Sequence, residues 1–175
     1  MSTLKVNAIT NTSGGTDISG VGIIQSYAII ADVKSNNTNG GTFTSGDWRT
    51  RDLNTEIADA DGIVSISSNQ FTLQAGTYKL NAAAPSHLVN RHQLALYNVT
   101  DSSYTQYGIN AYNASADSMG TNAVLFSRFT IASQKVFEIR HRCQTTSGSQ
   151  GFGIGIGSQW TSAEIYCLVE IFKEV

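Results

Sequence analysis

From Val21 onward the chain runs in short stretches of alternating apolar and polar residues, broken by clusters of Gly, Asn, Asp and Ser. Nowhere do apolar positions recur at the three-and-four spacing of an amphipathic helix. The period is two, so the pattern predicts strands and no helix. The predicted strands are 23–32, 48–53, 62–67, 70–73, 77–84, 92–98, 104–108, 123–131, 135–143, 152–157 and 164–173. Roughly ten strands at this spacing read as an all-β, antiparallel two-sheet sandwich. Pro85 follows the 77–84 run and marks where that ladder is expected to stop.

Residues 1–20 read differently. Leu4, Val6 and Ile9 form a short apolar patch ahead of the turn-rich stretch 11–17. A lone strand is not stable in water, so this segment is expected to be an extended arm that docks on something else. The sandwich domain then occupies 21–175.

Three of the predicted strands say more. In 135–143, Phe137, Ile139 and Cys143 share one face while Glu138, Arg140 and Arg142 share the other, which makes it a strand with a wet side. In 164–173 both faces are apolar, with Ile165, Cys167, Val169 and Ile171 opposite Tyr166, Leu168 and Phe172. The run 23–32 repeats this, with Ile23, Tyr27 and Ile29 opposite Ile24, Ala28 and Ile30. Such strands need a cover beyond their own core, and a second copy of the chain is the simplest one. Ile23, Tyr27, Ile29, Tyr166, Leu168 and Phe172 are therefore the expected subunit interface. In 151–157, alternation places Phe152, Ile154 and Ile156 on the core face, with glycines where another chain segment can approach closely. No helix follows, which argues against a phosphate-binding turn.

At 175 residues the chain suits a single domain. Only 14% of residues are charged, and the formal net charge is −2. Polarity rests on 20 Ser, 18 Thr and 13 Asn instead, so there is no basic surface to release counterions from nucleic acid or to hold an anionic membrane. No apolar run is long enough for a spanning helix, and Met1–Asn7 lacks the features of a secretory signal, which points to a chain made and folded in a cytosol. Cys143 and Cys167 are too few for a disulfide framework and read as buried thiols. The sequons at Asn11, Asn36, Asn98 and Asn113 are read as incidental.

Catalytic chemistry finds no foothold. His87, His92 and His141 lack the spacing that sets two imidazoles on a metal, and no nucleophile elbow is present. Asp59-Ala60-Asp61-Gly62 begins like a calcium loop but lacks the later acidic positions, and reads as a turn. No catalytic residue, metal or cofactor is expected. The charged run 49–54 is expected to hold neighbouring strands together, although it could also meet an acidic glycan. Tyr104, Tyr107 and Tyr112 lie among Asn110, Asn113 and Asp117, where planar rings beside amides could stack on a sugar or a receptor.

The stretch 40–55, the element Phe71-Thr72-Leu73-Gln74-Ala75-Gly76-Thr77-Tyr78 and Asn90-Arg91-His92-Gln93 resemble a recurring module in structural proteins of tailed bacteriophages. The F-x-L-x-A-G-x-Y element is similar to the sandwich domains of tumour necrosis factor and of the globular head of the first complement component. Residues 2–14 look like the start of many cyanophage and marine-phage fibre-type proteins. The resemblance implies a jelly roll of about ten strands, assembling as a homotrimer with the sheet of the first and last strands at the threefold axis. It supplies no catalytic residues. It implies a virion protein assembled in the host cytoplasm, docked on other virion proteins through Leu4, Val6 and Ile9. Tyr104, Tyr107 and Tyr112 would then face a host glycan or receptor, in a tail-fibre or adhesion knob, with a capsid-decorating cement protein as the alternative.

Overall fold

A computed structural model describes residues 26–114, 116, 120–157 and 163–174. The arm 1–20 with Leu4, Val6 and Ile9, and the interface candidate Ile23, lie outside the described residues.

The described residues form twelve strands and no helix: β1 (Ser26–Ser35), β2 (Arg49–Thr50), β3 (Thr55–Asp59), β4 (Val64–Ser67), β5 (Gln70–Leu73), β6 (Gly76–His87), β7 (Asn90–Asn98), β8 (Ser103–Tyr107), β9 (Ala111–Asn113), β10 (Gly120–Ile131), β11 (Lys135–Cys143) and β12 (Ala163–Lys173). They build a five-stranded sheet in the order β10-β6-β12-β1-β3 and a seven-stranded sheet in the order β4-β5-β11-β7-β8. In the latter, β2 pairs with β11 and β9 with β7. All pairings are antiparallel, and the architecture is a two-sheet jelly roll.

Between the sheets lies a continuous core that includes Ile30, Phe71, Leu80, Leu96, Leu125, Phe137, Ile139 and Val169. Each comes from the inward register of its strand, which is why alternation in the sequence located most of the elements. The turn from β4 to β5 is a two-residue hairpin in which Ser68 and Asn69 both have positive φ, a backbone that matches the strand twist. Asp59 closes the turn ahead of β4 by accepting the Ile63 and Val64 amides at 2.8 and 3.0 Å. Its carboxylate closes the turn that the sequence predicts there.

Four sequence expectations are corrected. The 152–157 run is a loop in which Ile154 and Ile156 are exposed, because its glycines serve close chain approach. A Cβ on Gly151 would lie 2.6 Å from the Phe43 amide nitrogen, and one on Gly153 would meet the Tyr166 ring at 2.5 Å. The predicted strand 48–53 shrinks to β2, and just beyond its end Arg51 turns its side chain into the core. The ladder does not stop at Pro85: β6 continues to His87 and pairs with β10 there. Pairing with β12 ends earlier, at Ala83, so no bond to that strand is forfeited by the missing proline N–H. Strands β3 and β9 were not predicted, because one is a polar edge and the other spans only three residues.

The last strand carries the fourth and most consequential departure. Cys167 pairs with Asp32 but Ile165 pairs with Val33, so Tyr166 is the extra residue of a β-bulge. The bulge reverses the phase of alternation. Cys167, Val169 and Ile171 point into the core as predicted, but Ile165 turns outward at 52% exposure and Tyr166 turns inward at 2%. The Tyr166 hydroxyl donates to the Thr38 carbonyl at 2.5 Å. Tyr166 is thus covered within a single chain, and contributes no exposed area to a subunit interface.

Candidate functional site

The two sheets turn different chemistry outward. On the five-stranded sheet, register places Val124, Ala83, Leu168 and Ala31 in one row. Phe126, Asn81, Glu170 and Ile29 follow in the next, then Arg128, Lys79, Phe172 and Tyr27. Phe126 is 60% exposed, and Ile29, Leu168, Phe172, Tyr27, Ala83 and Val124 are half-buried. Tyr27 and Phe172 pack ring against ring at 4.8 Å. Glu170 sits among these apolar groups and is held by the Tyr27 hydroxyl at 3.4 Å and the Asn81 amide at 3.3 Å. Burial and the Glu170 charge both push the Tyr27 pKa up, so the hydroxyl remains a donor. Of the interface candidates within the described residues, the fold brings Tyr27, Ile29, Leu168 and Phe172 onto this face and takes Tyr166 away. Ile154, Ile156 and Ile165 add exposed apolar area around a hollow of about 490 Å³ that also takes in Ala83, Pro85 and Leu168.

The outer face of the seven-stranded sheet is aromatic and cationic. The Arg140 guanidinium lies 3.3 Å over the Tyr97 ring and donates to Glu138 at 2.5 Å. Tyr97 meets Tyr104 edge-on at 4.9 Å, Tyr104 stacks on Tyr107 at 5.1 Å, and Trp48 packs on both, at 5.3 and 5.8 Å. Tyr104 and Tyr107 lie on β8, within the predicted strand 104–108, and belong to a ladder of rings. Beyond Trp48 the face opens into a groove of about 790 Å³, lined by Trp48, Arg91, Gln93, Asn110, Tyr112 and Arg142 among others. Tyr112, 58% exposed, stands on β9 at this groove, apart from the other two tyrosines. Sequence reasoning placed Arg140 and Arg142 on the wet side of β11 but did not join them to Trp48, Tyr97 or Arg91. These lie far apart in the chain, and only the register Arg142↔Gln93 and Arg91↔Tyr112 unites the groove residues.

Between the sheets lies a buried polar chain. The Arg51 amide donates to Ile139 on β11, while its guanidinium, over the Phe152 ring at 4.2 Å, donates to the carbonyls of Tyr166, Phe152 and Pro85 at 2.5, 3.1 and 3.4 Å. One arginine thus ties both sheets and the glycine-rich loop together. Asp52, next in sequence, takes Lys34 at 2.8 Å, so this charged run joins neighbouring segments as expected. Nearby, His92 Nδ1 and His141 Nε2 are 3.0 Å apart, and His92 Nε2 meets the Thr121 hydroxyl at 2.8 Å. Burial, reinforced by the Arg51 charge, lowers His92 to about 4. His141 is lowered too, by burial, by Arg51 and by His92. Both imidazoles are neutral at pH 7. Burial also raises the thiols of Cys143 and Cys167 to about 11, so neither is a ready nucleophile. Among the described residues, no three His, Cys, Asp or Glu side chains gather as a metal site, and no helix is long and apolar enough to cross a membrane.

No protein-family description matches the chain, and no curated protein matches it by sequence. Solved structures do. The fold is similar to the globular domain of zebrafish complement 1qA protein, with a TM-score of 0.54 and 12% identity over 86% of this chain and 98% of that one. It is similar to murine APRIL at a TM-score of 0.56 and 7% identity, over 86% of this chain and 100% of that one. It is also similar to the PRD1 vertex protein P5, at a TM-score of 0.55 and 12% identity, over 88% of this chain and 100% of that one. These likenesses define the class as a jelly roll of the tumour necrosis factor and complement-head type, a fold that also occurs in a phage virion protein. They carry the fold and not a marine-phage origin.

Proposed function

We propose that the chain is a non-enzymatic virion structural protein, assembling as a homotrimer through the outer face of its five-stranded sheet. The arm residues Leu4, Val6 and Ile9 dock it on other virion proteins, and the opposite face, with Tyr104, Tyr107 and Tyr112, meets the host surface as a tail-fibre or adhesion knob. The observation that carries this reading is the apolar outer face around Phe126, Leu168 and Phe172, which a single copy leaves open. Burying a side chain such as Phe126 is worth about 2 kcal/mol, so several together drive association. Likeness to a phage vertex protein supports a place in a virion. Threefold display would also turn weak contacts into avidity. Purified protein should compete with the particle for host cells, and failure to do so at saturating concentration would remove the adhesion role.

A second reading, a capsid-decorating protein, is favoured by the exposed Ile154, Ile156 and Ile165 at the end of the self-association face, an apolar landing place for a neighbouring shell component. Copy number in purified particles separates the two: hundreds indicate the shell, a few tens or fewer indicate a tail or fibre.

A further inference from the structure

We propose that the groove beside Trp48 is a binding site for a carboxylate-bearing oligosaccharide, such as a stretch of acidic surface polysaccharide. The inference rests on the reading that this face meets the host surface, and it names what the face takes there.

The groove, at about 790 Å³, lies within the usual size of a small-molecule site and suits a few sugar rings. Its charge is one-sided. Arg91 and Arg142 line it and no Asp or Glu does, in a chain whose net charge is −2. Four cations elsewhere in the fold are matched to carboxylates, Lys34 to Asp32 and Asp52, Arg128 to Glu174, Lys135 to Asp101, and Arg140 to Glu138, while Arg49 and Arg51 donate to backbone carbonyls. Arg142 is exposed on β11, and its side chain makes no hydrogen bond or ion pair among the described residues. A planar guanidinium without a partner fits the two oxygens of a carboxylate. Arg91 is held in place by donating to Gln144 Oε1 at 2.8 Å, which leaves its other N–H groups for ligand.

The remaining lining suits hydroxyls and the flat faces of sugar rings. The Gln93 amide donates to the Gly108 carbonyl and to Asn110 Oδ1, both at 2.9 Å, so two amides are fixed at the groove with polar atoms to spare. Trp48 and Tyr112 offer ring faces beside them. Two arginines are too few to hold a polyphosphate backbone against physiological salt, which argues against a nucleic acid. An acidic peptide would answer the charge but would leave the amide and ring pairing unused.

Titration of the full chain with trigalacturonic acid tests the assignment, with the neutral galactotriose and tri-glutamate as controls. Saturable binding of trigalacturonate is expected, weakened at least about tenfold by Arg142→Gln and by Trp48→Ala, with both controls binding at least about tenfold more weakly. A thermal melt of each variant matching the wild type shows that the fold is kept. Arg142→Gln is the deciding variant, because it removes no side-chain hydrogen bond or ion pair among the described residues. Absence of binding by the wild type, indifference to Arg142→Gln, or equal binding of tri-glutamate overturns the assignment. Cell competition on the same preparation keeps the two readings apart. Competition without trigalacturonate binding sinks the groove alone, whereas trigalacturonate binding without competition sinks the host-facing role alone.

Discussion

The two outer faces of this sandwich are built from strands of the same kind, yet one is half apolar and the other is a ladder of rings and guanidinium groups. On the five-stranded sheet the outward register carries Phe126, Leu168, Ile29 and Phe172, with Glu170 as the one carboxylate held among them by Tyr27 and Asn81. On the seven-stranded sheet the same register carries Tyr97, Tyr104, Arg140 and Arg142, and it ends in an open groove. A surface meant for water seldom gathers that much apolar area, and a surface meant for a like copy seldom leaves an unmatched arginine. The difference supports the proposal that the first face meets a like copy and the second a polar ligand.

The comparison can be broken most directly at Phe126. Phe126→Glu puts three charges into the proposed threefold contact, and the mass measured by light scattering should fall from three chains to one. Tyr107→Glu, on the other face, should leave the mass at three, and an unchanged mass for Phe126→Glu would refute the assignment of faces. The strap that ties the two sheets together comes next. Arg51→Met leaves the carbonyls of Tyr166, Phe152 and Pro85 without their donor, and should cost about 4 kcal/mol in urea unfolding.

Acid should weaken the same region. His92 has a folded pKa of about 4, below the usual 6.5, so above pH 6.5 it is neutral whether the chain is folded or not. Between pH 6.5 and 4 the unfolded chain takes up a proton that the folded one refuses, and stability falls with pH by about 3 kcal/mol from this group. A His92→Gln variant should show a flatter unfolding free energy across that window, measured in urea at a series of pH values. The smallest effect belongs to the ladder: Arg140→Ala uncovers Tyr97 and strips Glu138 of its main partner, for a loss of about 2 kcal/mol. The oligomer should survive that change.

Alternation in the sequence was enough to find β11 to the residue, to separate its wet side from its core side, and to find β1 and β12 as strands with apolar residues on both faces. It worked because those strands bury one face in a continuous core, and burial imposes period two. It failed where something other than core burial chose the residues. Phe152, Ile154 and Ile156 alternate with glycine, but the glycines admit Phe43 and Tyr166 at close range and the segment never joins a ladder. Arg51 lies inside the predicted strand 48–53 but just beyond the end of β2, and its part in holding strands together was legible in the charged run. The groove was half legible: Tyr112 and the arginines of β11 stood out by type, while Trp48 and Arg91 reach the same place only through strand pairing that no local pattern encodes.

One added residue at Tyr166 has a consequence for how the chain can change over time. Upstream of it, substitutions in the last strand answer to the glycine-rich segment and to Arg51; downstream, they answer to whatever lies against Leu168 and Phe172. The bulge is therefore a boundary between two sets of selective pressures within eleven consecutive positions. Variants could retune their assembly partner on one side without disturbing the lock on the other, and a single-residue deletion at that point would merge the two and forfeit both.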